Sequence, residues 1–86
     1  MTDSYSVTIV RDAEKELRDL PKKDLARVDR RIQALAETPR PQGVEKLTGA
    51  DHYRIRQGDW RVVYEIDDHD RRVTVIKIGH RREVYR

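Results

Sequence analysis

The chain has 86 residues, which allows one domain with one modest core. It contains no cysteine, so disulfides and thiolate metal sites are excluded. No apolar stretch approaches the roughly 20 residues of a membrane span, and the first residues lack the basic and apolar regions of a signal peptide. We therefore expect a single soluble domain over residues 1–86, located in the cytoplasm and not in a membrane.

The positive charge of this chain is carried mostly by arginine. The formal net charge is only +3, but 14 of the 19 basic residues are arginines. Arginine presents a planar fork that grips phosphate with two hydrogen bonds and stacks on bases. This composition favours a nucleic acid or an acidic protein as partner. The alternative is that the arginines only solvate a small surface.

The first half of the chain shows one strand and two helices. Residues 6–10 are rich in β-branched side chains, which is typical of a strand. Apolar residues then recur at helical spacing in two segments separated by Pro21. The first segment contains Ala13, Leu17 and Leu20, and the second contains Leu25, Val28, Ile32 and Leu35. A loop rich in proline and glycine follows at residues 38–43.

The second half of the chain changes to a period of two. Three alternating or apolar runs, at residues 53–56, 60–66 and 73–78, are separated by the turns 57–59 and 67–70. The sequence therefore predicts an α+β fold. In it, a short N-terminal strand and a three-stranded meander form a mainly antiparallel four-stranded sheet, and a two-helix hairpin covers one face.

The register of the first hairpin predicts a cluster of arginines. If Arg56 pairs with Arg61, the apolar side chains of both strands share one face, whereas a slip by one residue would divide them. The same register brings Arg54, Arg56 and Arg61 together on the other face. Because directly opposed arginines repel unless an anion lies between them, this face is expected to bind phosphate. A merely solvated face is the alternative.

The C-terminal segment combines groups suited to RNA cleavage. His80, Arg81, Arg82 and Tyr85 lie within six residues of each other. Attack of a ribose 2′-hydroxyl on phosphorus needs a proton acceptor, cations for the developing negative charge and an acid for the departing 5′-oxygen. His80 or Tyr85 could transfer protons and the arginines could supply charge, without a metal or other cofactor. The alternative is a solvated strand with Tyr85 packed on the core.

Two further groups of polar residues have simpler interpretations. Residues 67–70 contain three aspartates and a histidine, as in a metal site, but they lie where a hairpin turn is required and aspartate favours turns. His52 faces Glu65 in the same register and is expected to form a cross-strand contact. The arginines of the second helix are interpreted as a solvated or partner-facing surface.

The segments from Lys46 to Asp68 and from Val75 to Tyr85 resemble the core of RelE toxins. The resemblance rests on the arginine-rich hairpin, on the run Gly79-His80-Arg81-Arg82 and on Tyr85. Upstream residues 13–17 and 20–23 also fit, so the resemblance covers nearly the whole chain. It implies a RelE-like fold and a toxin of a type II toxin–antitoxin system.

The resemblance also implies an activity, partners and roles for residues. The activity would be metal-independent cleavage of messenger RNA in the ribosomal A site, and a RelB-like antitoxin would inhibit it. Operator DNA would be contacted only through that antitoxin. Arg61 and Arg81 match the phosphate-binding arginines of the family, and Tyr85 matches the tyrosine that stacks on or orients the substrate. Arg54 and Arg56 match a basic pair on the preceding strand.

One departure from the family affects the expected mechanism. Some relatives have lysine at the basic pair, whereas this chain has arginine, which stays protonated and is a poor general base. His80 then becomes the favoured proton acceptor. Two other functions fit the same fold: a ParE-like, non-enzymatic inhibitor of DNA gyrase, and a co-repressor that binds only antitoxin and DNA. The constellation of Arg61, Arg81 and Tyr85 favours the ribonuclease over the gyrase inhibitor.

Overall fold

The computed structural model describes residues 4–47 and 52–80. In chain order the elements are β1 (Ser6–Ile9), α1 (Arg11–Arg18), α2 (Lys22–Ala34), β2 (Glu45–Lys46), β3 (His52–Gln57), β4 (Trp60–Asp67) and β5 (Arg72–His80). No helix in these two ranges is long and apolar enough to cross a membrane.

Within the described residues the strands form one sheet in the order β1-β5-β4-β3-β2. All neighbouring strands are antiparallel except β1 and β5, which run parallel. The predicted α+β architecture is confirmed, but the sheet has five strands where the sequence predicted four. The additional strand is β2, whose two residues are charged and exposed and therefore show no apolar alternation.

The core lies between the two helices and one face of the sheet. The helices contribute the predicted apolar stripes, and Leu25 is only partly buried at the edge of the cluster. The sheet contributes inward-facing residues from its three longest strands. The fully buried members of the core include Val28, Ile32, Leu35, Ile55, Val62, Tyr64, Val73, Val75 and Ile78.

A β-bulge in β5 allows its apolar run to face the core. The pairs Val63–Lys77 and Tyr64–Val75 leave Ile76 without a partner on β4. Val75 and Ile78 are three positions apart, so in a regular strand they would point to opposite faces. The extra residue restores them to the same face, and both are buried.

The buried Tyr64 ties the sheet to the loop that follows α2. Its hydroxyl donates a hydrogen bond of 2.7 Å to the carbonyl oxygen of Pro39. Burial raises the pKa of Tyr64 to about 12, although the positive charges of Arg31 and Arg40 oppose the rise. The neutral phenol is therefore the form that the fold stabilises.

Candidate functional site

The β3–β4 hairpin has the predicted register. Arg56 pairs with Arg61, and Ile55 pairs with Val62. Ile55 and Val62 are buried against the helices. By strand alternation, Arg54, Arg56 and Arg61 share the opposite face, which we call the arginine face.

The environments of these three arginines differ. Arg56 is exposed, and no ion pair among the described residues includes it. Arg54 has a side chain that is only 13% exposed and forms an ion pair with Glu45. Arg61 is 4% exposed. The guanidinium groups of Arg54 and Arg61 are thus largely shielded from solvent, although all three arginines lie on the predicted face.

Glu45 is a carboxylate of the arginine face that the sequence did not reveal. It lies directly opposite Arg54 in the β2–β3 pair. Its Oε1 atom accepts hydrogen bonds from Nη2 and Nε of Arg54 at 3.0 and 3.3 Å. Its Oε2 atom accepts no hydrogen bond from this arginine, and the side chain is 63% exposed. A solvent-accessible proton acceptor thus lies beside the predicted phosphate-binding groups.

Arg61 is held by the turn of its own hairpin. Its Nη1 atom lies 3.4 and 3.3 Å from the carbonyl oxygens of Gly58 and Trp60. On β5 the residue opposite Arg61 is Gly79, which has no side chain to compete for space on this face. A buried guanidinium that is oriented by carbonyl oxygens is well suited to a fixed anion-binding role, because little reorganisation accompanies binding.

His80 lies on the other face of the sheet from the arginines. It pairs with Trp60, and the two rings meet edge to face with centroids 5.6 Å apart. Trp60 packs against the core, and its neighbour Arg61 points the opposite way. The structure thus brings Arg54, Arg56 and Arg61 together but does not bring His80 to them. Arg81, Arg82 and Tyr85 lie outside the described residues.

His52 and the aspartates that follow β4 have the contacts that the sequence predicted. His52 Nε2 lies 2.7 Å from Glu65 Oε2 in the expected cross-strand contact. Residues 68–71 form the turn between β4 and β5, and the side chain of Asp67 at the end of β4 accepts a hydrogen bond from the backbone N–H of Asp70 at 3.0 Å. No group of three potential metal ligands is present in the described part of the chain.

A polar network lies at the end of the sheet opposite the turn of the β3–β4 hairpin. Asp68 accepts hydrogen bonds from both terminal nitrogens of Arg40, at 3.2 and 2.9 Å, and from the hydroxyl of Tyr5 at 2.6 Å. These hydrogen bonds lower the pKa of Asp68, and the bond from Arg40 has the larger effect. The hydrogen bond to the same carboxylate raises the pKa of Tyr5. Arg40 also lies 5.2 Å from the ring centre of Tyr53.

A groove of about 630 Å³ adjoins this network. Its charged lining comprises Arg40, Arg72, Glu65, Asp67 and Asp68. Carboxylates outnumber guanidinium groups there, so the local charge is less favourable to phosphate than that of the three arginines. The arginine face is therefore the better candidate for an anionic substrate.

Known proteins resemble this chain over almost its full length. The family described as the ParE toxin of type II toxin–antitoxin systems (parDE) matches residues 7–85. The toxin RelE of Mycobacterium tuberculosis is 36% identical over 84 residues, which cover 95% of this chain and 87% of that toxin. This chain belongs to the RelE/ParE toxin family.

Solved structures agree with this assignment. The archaeal RelE–RelB complex from Pyrococcus horikoshii contains a chain with a TM-score of 0.83 and 33% identity, and the match covers 91% of this chain and 96% of that one. The isolated E. coli RelE toxin gives a TM-score of 0.79 at 29% identity, with coverage of 90% and 84%. The protein is thus a RelE-type toxin of a type II toxin–antitoxin system.

Proposed function

We propose that this RelE-type toxin is a cytoplasmic endoribonuclease that cuts messenger RNA in the ribosomal A site without a metal. The observation that carries the proposal is the arginine face, where Arg54, Arg56 and Arg61 converge on the side of the sheet away from the helices. A gyrase inhibitor or a co-repressor has no need of such a constellation for catalysis.

In the proposed reaction the ribose 2′-oxygen attacks the adjacent phosphorus and the bond to the 5′-oxygen breaks. The products are a 2′,3′-cyclic phosphate and a 5′-hydroxyl. A base removes the proton of the 2′-hydroxyl, and an acid returns a proton to the departing 5′-oxygen. Arg61 and Arg81 stabilise the charge on the phosphorane. The flanking phosphates are held by Arg54, Arg56 and Arg82. Tyr85 positions the nucleobase of the RNA.

Two groups are candidates for the proton acceptor. His80 is the candidate from the sequence, but in this structure it lies with Trp60 on the opposite face from the arginines. Glu45 lies on the arginine face in contact with Arg54. Replacing each with glutamine and recording the pH dependence of cleavage distinguishes them. The variant that loses the true base loses the rising limb of the pH–rate profile.

The partner that inhibits the toxin is proposed to be a RelB-like antitoxin. Relatives with the same fold are described in complexes with RelB, including the complex from Pyrococcus horikoshii and that of E. coli. The arginine face gives an acidic segment of such an antitoxin an electrostatic target. Operator DNA is then contacted through the antitoxin. Association of the two proteins should slow as salt rises, because the attraction is screened.

The decisive experiment incubates purified toxin with programmed ribosomes and maps the 3′ ends of the messenger. Arg81→Ala should slow cleavage by about a hundredfold to a thousandfold, because Arg81 is proposed to stabilise the phosphorane, and Arg56→Ala should weaken binding of the messenger, because Arg56 is proposed to hold a flanking phosphate. Arg18→Ala is a control, because Arg18 is an exposed arginine of α1 that pairs with Glu14 and does not belong to the arginine face. Arg61→Ala needs a parallel measurement of stability, since this side chain is buried.

The description of the matching family supports a second candidate, a ParE-like inhibitor of DNA gyrase. This candidate predicts growth arrest with intact messenger and inhibited gyrase supercoiling. It also predicts that wild type and Arg56→Ala both leave the messenger uncut. Uncut messenger on programmed ribosomes at any toxin concentration would reject the ribonuclease proposal.

A further inference from the structure

Helix α2 carries a stripe of arginines beside its buried apolar stripe. Arg27, Arg30, Arg31 and Ala34 have the spacing i, i+3, i+4 and i+7, which places them on one surface of a helix. Together with Gln57 at the end of β3 they line a groove of about 350 Å³, which we call the α2 groove.

The charge of the α2 groove is not balanced within the described structure. Arg27 and Arg30 are exposed and Arg31 is half-buried. Among residues 4–47 and 52–80, no ion pair includes any of the three. Like charges at these helical spacings repel each other. An anionic ligand in the groove would therefore relieve a repulsion that the free chain carries.

The α2 groove and the arginine face lie on opposite sides of the sheet and approach each other at the tip of the β3–β4 hairpin. Gln57 lines the groove, and its neighbour Arg56 points to the opposite side of the sheet. Gln57 pairs with Trp60 at the end of the β3–β4 hairpin, so only the turn at Gly58 and Asp59 lies beyond. The two sets of arginines are thus connected around the tip of one hairpin.

We propose that the α2 groove binds the sugar–phosphate backbone of the same RNA strand that crosses the arginine face. The strand passes around the hairpin tip, and the groove holds phosphates a few nucleotides from the scissile bond. This inference rests on the proposed ribonuclease function. It adds a second binding site on the other side of the sheet.

The lining of the groove favours RNA over a peptide. Guanidinium groups bind phosphate with two parallel hydrogen bonds, and the amide of Gln57 can both donate to and accept from a ribose or a base. Charge can attract an acidic antitoxin segment to either set of arginines, but tight binding of a peptide also needs apolar anchors in buried pockets. The described lining of the groove offers only the methyl group of Ala34 for such an anchor.

The test measures binding of single-stranded RNA to the purified toxin as a function of length and salt. The probes are fluorescent oligonucleotides of four and ten nucleotides with 2′-O-methyl riboses, which cannot be cleaved by 2′-hydroxyl attack. The variant carries Arg27→Gln, Arg30→Gln and Arg31→Gln. The control carries Arg11→Gln, Lys15→Gln and Arg18→Gln on α1, which removes the same charge outside the groove.

The wild-type toxin should bind the longer probe more tightly, and the groove variant should lose this preference while binding the shorter probe normally. Each phosphate contact on a single strand contributes about 0.7 to the slope of log affinity against log salt, so the slope for the longer probe should fall by about 2. The control variant should keep the wild-type slope. The double variant Arg27→Gln/Arg30→Gln, which alters exposed residues only, should lower the slope by about 1.4.

Four results would overturn the proposal. The wild-type toxin could bind both probes equally, or the groove variants could bind the longer probe with wild-type affinity and slope. The groove variants could instead lose only their binding to empty ribosomes, which would make ribosomal RNA the occupant, or only their binding to the antitoxin. Cleavage of messenger on programmed ribosomes is scored separately, so failure of the ribonuclease function is distinguishable from failure of the groove.

Discussion

Ionisation of Tyr64 should destabilise the fold at alkaline pH. Its hydroxyl is buried and donates a hydrogen bond to the carbonyl of Pro39, and burial raises its pKa from the ordinary value of about 10 to about 12. A group whose pKa is higher in the folded state contributes stability that is complete below the unfolded pKa and is lost as pH rises towards the folded one. Each pH unit above 10 therefore costs about 1.4 kcal/mol, or roughly 2 to 3 kcal/mol by pH 12.

The matched variant is Tyr64→Phe, which keeps the ring but has nothing to ionise. At pH 8 it should be about 1 to 3 kcal/mol less stable than wild type, because the carbonyl of Pro39 loses its buried donor. Urea unfolding at pH 8, 10 and 11 gives both free energies of unfolding. The difference between wild type and variant should shrink by about 1.4 kcal/mol from pH 8 to pH 11. A difference that stays constant over this range would refute the reasoning.

Three further substitutions test other parts of the fold by urea unfolding. Asp68→Asn should remove a stabilisation that is present above about pH 4 and is lost as pH falls through the lowered pKa of Asp68, so the two proteins should converge in acid. Gly58→Ala should cost about 1 kcal/mol, because φ is +61° and no atom lies within 4 Å of the new methyl group, whereas Gly58→Asn should cost less. Ile32→Ala should cost about 2 to 5 kcal/mol at a fully buried position, against about 0.5 to 1.5 kcal/mol for the control Ile32→Val. An Ile32→Ala cost below that of Ile32→Val would contradict the described core.

The sequence was sufficient to predict the β3–β4 hairpin because only one register buries all of its apolar residues. A slip by one position would expose Ile55 or bring Arg56 towards the helices, and either change costs several kcal/mol. The helices were predictable because their apolar residues recur at helical spacing, which places them all on one face of each helix. The arginine face follows from that register without further information.

The side of His80 could not be predicted because it depends on the bulge at Ile76. Counting alternate positions from the inward Val73 and Val75 places residue 80 on the arginine face. The unpaired Ile76 reverses this parity, so Ile78 and His80 return to the helix side. Nothing in the run Val73–Ile78 marks where the extra residue falls, since most of its side chains are apolar.

The partner of Arg54 and the burial of Arg61 could not be predicted from the sequence either. Glu45 belongs to a strand of two charged residues, and its pairing with Arg54, nine residues further along the chain, has no periodic signal in the sequence. The burial of Arg61 contradicts the general preference of arginine for solvent. It depends on the backbone carbonyls of the hairpin turn, whose positions are set only in three dimensions.

The position of β5 determines when the sheet can be completed during synthesis. Strand β1 pairs with β5, which is made 63 residues after β1 ends. At typical elongation rates of about 5–20 residues per second, β1 waits roughly 3 to 13 s for its partner. Until β5 is made, the helices lack the core residues Val73, Val75 and Ile78, and the edge of β4 that pairs with β5 stays open once β4 itself is made. A growing polypeptide of this toxin is thus a candidate for chaperone binding until β5 leaves the exit tunnel.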